Sequence, residues 1–365
     1  MVKKLLFVVS ATLLLSGCTI KLPVAPSGLS GSGGSVWKST DGGDTFVPKV
    51  TVNGLDQKMT SADILSLVFN PDNQQVMYMG TLSSGLFKTT DGAETWEKLN
   101  FPPTKTYGVA IDRSNTSLVY ASGVFGDAGK IYRSGDAGKN WEEIYTEPAA
   151  GTFITVLGSH PEVPSTLYAG TSTGVIIKST DSGQTWKNIF VATAPIKDIV
   201  FYPGLPATVT FLVLNKGTVM TSDGGNTWND YSNGTTMSQA PTQNGQATNV
   251  PAVSPSSLLT IVADPSQGGS LYAGAMNGLF HSGDYGKSWQ ALPIIESSRK
   301  FPVRSLAVNP KNSAEIVYTA GKVFYKSTDR GMTWSTVELS IDRGVSIIKY
   351  DLSLPSTIYF GLRKF

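Results

Sequence analysis

Short apolar stretches separated by polar turns follow one another along most of the chain, and they come in pairs. An apolar run such as 63–69, 258–264 or 303–309 is followed by a polar turn, usually with proline, and then by a second run that ends near a tyrosine. Short alternating runs with Gly and Pro between them are typical of half-buried β-strands. The pattern therefore predicts an all-β chain built from antiparallel meanders.

A ten-residue motif with a central aspartate follows most of these pairs and occurs seven times. The copies begin WKSTDGGDTF, FKTTDGAETW and YRSGDAGKNW, and their aspartates are Asp41, Asp91, Asp136, Asp181, Asp223, Asp284 and Asp329. Five of the six intervals are about 45 residues and one is longer. A repeat of about 45 residues is the size of one four-stranded propeller blade. We name the strands of each unit A, B, C and D and place the motif on the C-to-D hairpin.

The two ends of the chain complete each other. The first motif (35–47) has no A and B strands before it, whereas the last copy is followed by a strand pair (345–361) without a motif. Pairing of these C-terminal strands with the N-terminal hairpin closes the ring and removes open sheet edges. The sequence thus predicts a single seven-bladed β-propeller of four-stranded antiparallel blades over 35–365.

The N-terminus predicts export. Two lysines, an apolar run too short to span a bilayer and a set of small residues precede Cys18, the only cysteine, so residues 1–17 are interpreted as a signal peptide. The run Leu15–Cys18 resembles the lipobox of bacterial lipoproteins, which implies a lipid on Cys18 and a place in the bacterial cell envelope, facing the periplasm or exterior. The alternative is an ordinary signal peptide with an incidental cysteine. Residues 18–34 are rich in Pro, Gly and Ser and are predicted to be a flexible tether.

Composition narrows the choice of partners. The net charge of +2 supplies no bulk field that would recruit nucleic acid. The two histidines and the single cysteine form no metal-ligand cluster, and no glycine-rich phosphate loop is present. We therefore predict no metal, no cofactor and no nucleic acid, and a monomeric propeller.

The motif, Ser/Thr-x-Asp-x-Gly-x-Thr-Trp, resembles the Asp-box or BNR repeat of sialidases, sortilin-type receptors, xyloglucan-cleaving hydrolases and photosystem II stability/assembly factor proteins. The resemblance covers nearly all of 35–365 and implies a propeller, although those families differ in function. Chemically, the Asp can accept hydrogen bonds within its own turn and the Gly can adopt positive φ, so a structural role is expected for all seven aspartates. The closing tryptophans are expected to pack between blades: Trp96, Trp141, Trp186, Trp228, Trp289 and Trp334.

Catalytic sets of the resembled enzymes are missing. Sialidases need three converging arginines and a Phe/Tyr-Arg-Ile-Pro segment, and xyloglucan-type hydrolases hold their cleft between two propellers, whereas this chain has residues for one. We predict no catalytic residues. A glycoside hydrolase, sialidase-like or xyloglucanase-like, with an unrecognised site over the propeller channel is the alternative.

Function is expected on the face opposite the motif, where B-to-C and D-to-A connections meet. An irregular polar insertion at 229–257 lies there and is either a binding loop or a solvated one. The candidate contacts on this face are Tyr107, Phe125, Asp127, Phe153, Lys197, Asp198, Arg299, Lys300, Arg304 and Arg343. The resulting hypothesis is a lipid-anchored, non-catalytic scaffold, photosystem II assembly factor-like in build, that binds an envelope or extracellular protein, or a glycan.

Overall fold

The computed structural model describes residues 33–54, 58–231, 237–238, 257–294 and 302–365. Gly33–Phe365 form one compact unit. The predicted signal peptide, the lipidation site Cys18, most of the tether, and Arg299 and Lys300 lie outside the described residues. Within those ranges no helix has the length and apolar character needed to cross a membrane.

The regular structure of the described residues consists of β-strands in seven sheets. In chain order the strands are β1 (Val36–Ser39), β2 (Val47–Lys49), β3 (Ile64–Phe69), β4 (Met77–Thr81), β5 (Leu86–Thr89), β6 (Glu97–Lys98), β7 (Lys105–Ile111), β8 (Val119–Phe125), β9 (Ala128–Ser134), β10 (Glu142–Thr146), β11 (Ile154–Ser159), β12 (Leu167–Thr171), β13 (Val175–Ser179), β14 (Lys187–Val191), β15 (Ile196–Phe201), β16 (Val209–Val213), β17 (Gly217–Thr221), β18 (Asn229–Asp230), β19 (Met237–Ser238), β20 (Leu258–Ala263), β21 (Leu271–Ala275), β22 (Gly278–Ser282), β23 (Trp289–Ala291), β24 (Ser305–Asn309), β25 (Asn312–Ala320), β26 (Val323–Ser327), β27 (Ser335–Glu338), β28 (Gly344–Tyr350) and β29 (Ile358–Arg363).

Each sheet contains one four-stranded antiparallel blade, and the sheet of blade 5 has a fifth strand. In A-to-D order, blades 1 to 4 are β3–β6, β7–β10, β11–β14 and β15–β18, blades 5 and 6 are β20–β23 and β24–β27, and blade 7 is β28, β29, β1 and β2. Strand β1 pairs with β29, with Trp37 opposite Phe360. The A strands of neighbouring blades contact one another around the ring, and β28 contacts β3. The protein is an all-β, seven-bladed propeller, and the predicted closure by the C-terminal strands is confirmed.

The antiparallel order divides the connections between two faces. A-to-B turns and C-to-D turns lie on one side, which we call the motif face, while B-to-C turns and D-to-A connections lie on the other, the B–C face. The first two residues of the predicted insertion 229–257 are not part of a loop, because residues 229–230 form the D strand of blade 4. Strand β19 from this insertion adds to the outer edge of blade 5, parallel to β23.

Contacts between blades depend on residues that the repeat places at fixed positions. The B strands are the most buried; β4, β12, β16 and β21 are covered at every residue. In blades 7, 1 and 3 the lysine three residues before the motif aspartate lies over the B-strand tyrosine of its own blade and donates to a carbonyl in the next motif; these lysines are Lys38, Lys88 and Lys178. Lys178 Nζ is 5.2 Å from the Tyr168 ring centroid and 2.8 Å from the Gly224 carbonyl oxygen. Each such lysine therefore ties one blade to its neighbour.

Candidate functional site

The motif turn uses its polar atoms internally. In the fourth copy, the Ser179 hydroxyl donates to Asp181 Oδ1 at 2.7 Å, and the Thr185 backbone N–H donates to the same oxygen at 2.9 Å. The Thr185 hydroxyl donates to Asp181 Oδ2 at 2.5 Å. Gly183 has φ of 86°, a conformation that glycine adopts without steric cost, and its N–H donates to Ser179 Oγ. Both carboxylate oxygens of Asp181 are thus occupied within one hairpin.

These bonds hold the carboxylate in its charged form. The Thr185 hydroxyl, the Thr185 N–H and the Ser179 hydroxyl lower the pKa of Asp181 to about 2. In other copies burial, which raises the pKa, opposes the same kind of hydrogen bonds, and the pKa is still lowered. The further copies whose pKa lies at about 2 are Asp41, Asp136 and Asp329. A carboxylate stabilised in this way is a poor general acid or base near neutral pH.

The motif tryptophans lie in the packing between strands and blades. Trp96 and Trp289 are almost completely buried. Trp141 packs edge-on against Phe101 at 4.9 Å, and Trp334 against Tyr318 at 4.8 Å between ring centroids. The cavity lining described below contains no tryptophan, and all seven tryptophans of the chain fall within the described ranges.

A cavity of about 250 Å³ occupies the central channel. All seven A strands line it, from positions near their starts on the B–C face to deeper positions such as Val68, Val262 and Lys349. Six of these strands carry a β-bulge that inserts one residue after the first buried position, and Arg304 takes the equivalent place ahead of β24. Bulges redirect side chains and occur often next to sites. The resulting ring of bulge positions is Leu65, Tyr107, Thr155, Lys197, Leu259, Arg304 and Ser346.

The charged residues that line the cavity are mostly cationic. They are Lys197, Asp198, Arg304 and Lys349. Asp198 accepts a hydrogen bond from the Ile261 N–H of the next blade at 3.1 Å, and Lys197 Nζ lies 3.6 Å from its other carboxylate oxygen. The single carboxylate of the lining is thus already paired, and the cavity keeps an excess of positive charge.

Lys349 projects into this cavity from β28. Burial by the surrounding walls lowers the pKa of Lys349, and the negative charge of Asp198 partly offsets this effect. Burial and the neighbouring Arg363 likewise lower the pKa of the Arg304 guanidinium. Enclosure by the protein around them is the larger cause of both shifts.

Aromatic side chains surround the cavity on the B–C face. Tyr107 and Phe153 stack with ring centroids 4.7 Å apart. Arg304 lies over the ring of Phe365 at 4.4 Å, and Arg363 lies 5.7 Å from the same ring. Four of the ten predicted contacts therefore lie in the lining (Tyr107, Lys197, Asp198 and Arg304), and Phe153 stacks against Tyr107.

The remaining predicted contacts have other surroundings. Phe125 is 52% exposed at the tip of the β8–β9 hairpin, next to the exposed Asp127. The Arg343 side chain is only 10% exposed. It donates to the backbone carbonyl oxygens of Ala62 and Thr60, at 2.8 and 2.7 Å, so its guanidinium secures the blade 7–blade 1 junction.

Three residues of this region escaped the sequence reasoning. Lys349 sits in an apolar strand that the pattern assigned to the core, and Arg363 and Phe365 follow the last predicted strand. Lys349 is the one charged residue at its level when positions are counted from each bulge, and the bulges are visible only in the structure. Within the described ranges, no group of three or more His, Cys, Asp or Glu side chains is placed to hold a metal ion.

The comparisons with known proteins agree with this fold. A family model described as "Sortilin, neurotensin receptor 3" matches residues 129–259, less than half of the chain. No curated protein sequence matches the chain. The predicted resemblance to sortilin-type and xyloglucan-cleaving propellers is confirmed at the level of the fold.

Solved structures resemble the chain at low identity. The GH74 xyloglucanase from Xanthomonas campestris is 14% identical with a TM-score of 0.65, over 83% of this chain and 51% of the enzyme, so the chain spans about half of that protein. YCF48 bound to a D1 peptide is 14% identical with a TM-score of 0.59, over 83% of this chain and 94% of YCF48. YCF48 from Cyanidioschyzon merolae is 14% identical with a TM-score of 0.60, over 83% and 96%. Identities this low establish the shared fold alone.

Proposed function

We propose that the protein is a lipid-anchored, non-catalytic scaffold of the bacterial cell envelope that binds a protein partner on its B–C face. The observation that carries the proposal is the loss of the seven-fold repeat on this face. At the bulge level the blades present leucine, tyrosine, threonine, lysine, arginine and serine, although their backbones are equivalent. A position that the fold leaves free to vary can be used for recognition.

The side chains exposed around the cavity are those that protein interfaces favour. Phe125, Val191, Met276 and Phe365 are large apolar residues exposed on or next to B-to-C turns and D-to-A connections. Aromatic residues, Met and Arg are enriched at protein interfaces, and Arg304 lies beside Phe365. This set suits a protein surface with apolar groups and negative charge.

A peptide partner also agrees better with the neighbours than a polysaccharide does. YCF48, of which the match covers 94%, was solved bound to a D1 peptide. The xyloglucanase is about twice as long as the matched region. A glycan remains the second kind of partner, as the resemblance to carbohydrate-active propellers implies.

The anchor in this proposal is the lipid on Cys18, preceded by an export signal. It would hold the propeller at a membrane surface while residues 18–34 act as a tether. Cells labelled with radioactive palmitate should yield labelled wild-type protein and unlabelled Cys18→Ala protein. Label that persists in the variant would exclude this anchor.

Capture from envelope extract tests the binding face. The full chain, immobilised through a tag, should retain a specific envelope protein, and the double variant Phe125→Ser, Met276→Ser should lose it. The matched control is Leu352→Ser, Leu354→Ser, which changes two equally exposed apolar residues on the motif face. Loss in the control, or retention in the B–C variant, would contradict the proposal, provided that both variants unfold at the wild-type urea concentration.

The alternative function is a glycoside hydrolase, suggested by the xyloglucanase neighbour. Such enzymes use two carboxylates flanking the scissile bond. The described lining supplies Asp198 alone, and that carboxylate already accepts a backbone hydrogen bond and faces Lys197. We expect no reducing sugar from xyloglucan or sialosides. Release that disappears in Asp198→Asn would favour the enzyme instead.

A further inference from the structure

Lys349 breaks a pattern that the other six blades keep. It lies three residues after the bulge position of β28, on the wall of the channel. Its equivalents are all small or apolar: Val68, Ala110, Gly158, Val200, Val262 and Ala307. No requirement of the strand explains a lysine at this level, because six blades form the same strand without one.

The ammonium group of Lys349 has no protein partner in the described part of the chain. No hydrogen bond joins it to another residue. None of the nine ion pairs found in these ranges includes Lys349. Asp198, the one carboxylate in the lining, is held by Ile261 and Lys197. The Lys349 side chain is open to solvent inside the channel, so its charge needs no buried partner and a ligand can reach it. Three cations line the channel against one carboxylate that is already paired, so the lining attracts a further negative group.

The space beside Lys349 limits what that group can be. A cavity of about 250 Å³ is smaller than the roughly 300–1,000 Å³ of typical ligand pockets. It can admit one side chain or a small molecule from the B–C face. A lysine offers a single point charge without the forked geometry that an arginine presents to phosphate. A single carboxylate matches both the size and the charge.

We propose that Lys349 forms a subsite inside the channel for one carboxylate that enters from the B–C face. The carboxylate belongs to an acidic side chain of a bound peptide or to a free small acid. The peptide source rests on the proposed function, in which a protein partner covers this face. Arg304 and Lys197 near the channel mouth favour the approach of the same negative group.

Two blocked peptides and one small acid test the subsite. The peptides acetyl-Gly-Gly-Glu-Gly-Gly-amide and its Gln counterpart differ only in the carboxylate, and acetate represents the free acid. Calorimetric titration of the full chain should give at least about tenfold tighter binding of the Glu peptide, and Lys349→Met should remove this preference. The matched control Lys216→Met, an exposed lysine on a B-to-C turn outside the cavity, should retain it.

The outcomes separate the sources. Lys349-dependent binding of the Glu peptide supports a peptide carboxylate, and Lys349-dependent binding of acetate alone supports a free acid. Equal binding of the two peptides together with no acetate binding, or a preference that survives in Lys349→Met, overturns the subsite. In that case, partner capture that still depends on Phe125 and Met276 would leave the proposed function standing.

Discussion

The motif ring and the bulge ring follow opposite rules within the same seven blades. In the motif ring an aspartate bonded to a hydroxyl at its own turn recurs in every copy, from Ser39 with Asp41 to Ser327 with Asp329. In the bulge ring the backbone repeats while the side chains change from Leu65 to Lys197 to Arg304. A turn needs the same chemistry each time it is made, whereas a ligand is met once. Residues that repeat in every blade therefore have a structural role, and positions where the repeat is lost form the candidate site.

The largest expected difference between the two rings is in stability. Trp96 closes the second motif, is 0% exposed and packs among Val52, Met59 and Ala93. Its truncation in Trp96→Ala should lower the free energy of unfolding by about 3–5 kcal/mol, because a large cavity replaces the indole. Urea denaturation followed by tryptophan fluorescence and far-UV circular dichroism measures the change.

The matched substitution on the B–C face is Phe125→Ala. Phe125 is 52% exposed, so its loss should change the free energy of unfolding by less than about 0.5 kcal/mol. Partner capture should show the opposite result. Phe125→Ala should weaken it, whereas Trp96→Ala should leave the amount captured per folded molecule unchanged. A Phe125 variant as unstable as the Trp96 variant would contradict the division between the two rings.

An intermediate effect is expected from acid. The pKa of the motif carboxylate Asp181 falls from 3.8 to about 2 on folding. Because the folded pKa is the lower one, this carboxylate stabilises the native state fully above about pH 4, and the contribution disappears as the pH falls towards 2. The urea midpoint should therefore decrease steeply between pH 4 and pH 2, since several motif copies titrate together.

Single substitutions assign this acid transition to the motif ring. Asp181→Asn removes one titrating group, so its urea midpoint should be lower than wild type at pH 6 and should decrease less steeply below pH 4. Asp72→Asn, an exposed aspartate whose side chain makes no hydrogen bond in the described structure, should leave the wild-type slope. Parallel curves for Asp181→Asn and wild type would show that the motif carboxylates do not control acid unfolding.

The repeat made the fold predictable, because blade size, blade number and ring closure all follow from the spacing of one motif. The site was predictable only in part. Tyr107 and Lys197 could be located, since they begin A strands on the face opposite the motif. Lys349 could not be located. In regular alternation a lysine inside an apolar strand is expected to face solvent, and only the bulge shows that the register of β28 has shifted.

The role of the motif lysines also needed coordinates. Alternation places Lys178 on a solvent-facing position of β13, and its sequence neighbours give no sign of an acceptor. The acceptor, the carbonyl of Gly224, lies in the next blade, 46 positions along the chain. Contacts between repeats depend on the twist that sets one blade against another, which a one-dimensional pattern does not contain.

A smaller loss of stability than that of Trp96→Ala, and the sharpest test of the repeat itself, is expected at these lysines. Lys178→Met removes the bond to Gly224 and the contact over Tyr168, and should lower the free energy of unfolding by about 1 kcal/mol. Lys187→Met, its exposed cross-strand neighbour in the same blade, should have no measurable effect. Blade 4 already carries Met220 at the lysine position, and there Thr218 donates to the Gly286 carbonyl of blade 5 instead. One junction thus persists without its lysine, so Lys178→Met should weaken the ring without opening it, and should leave partner capture unchanged.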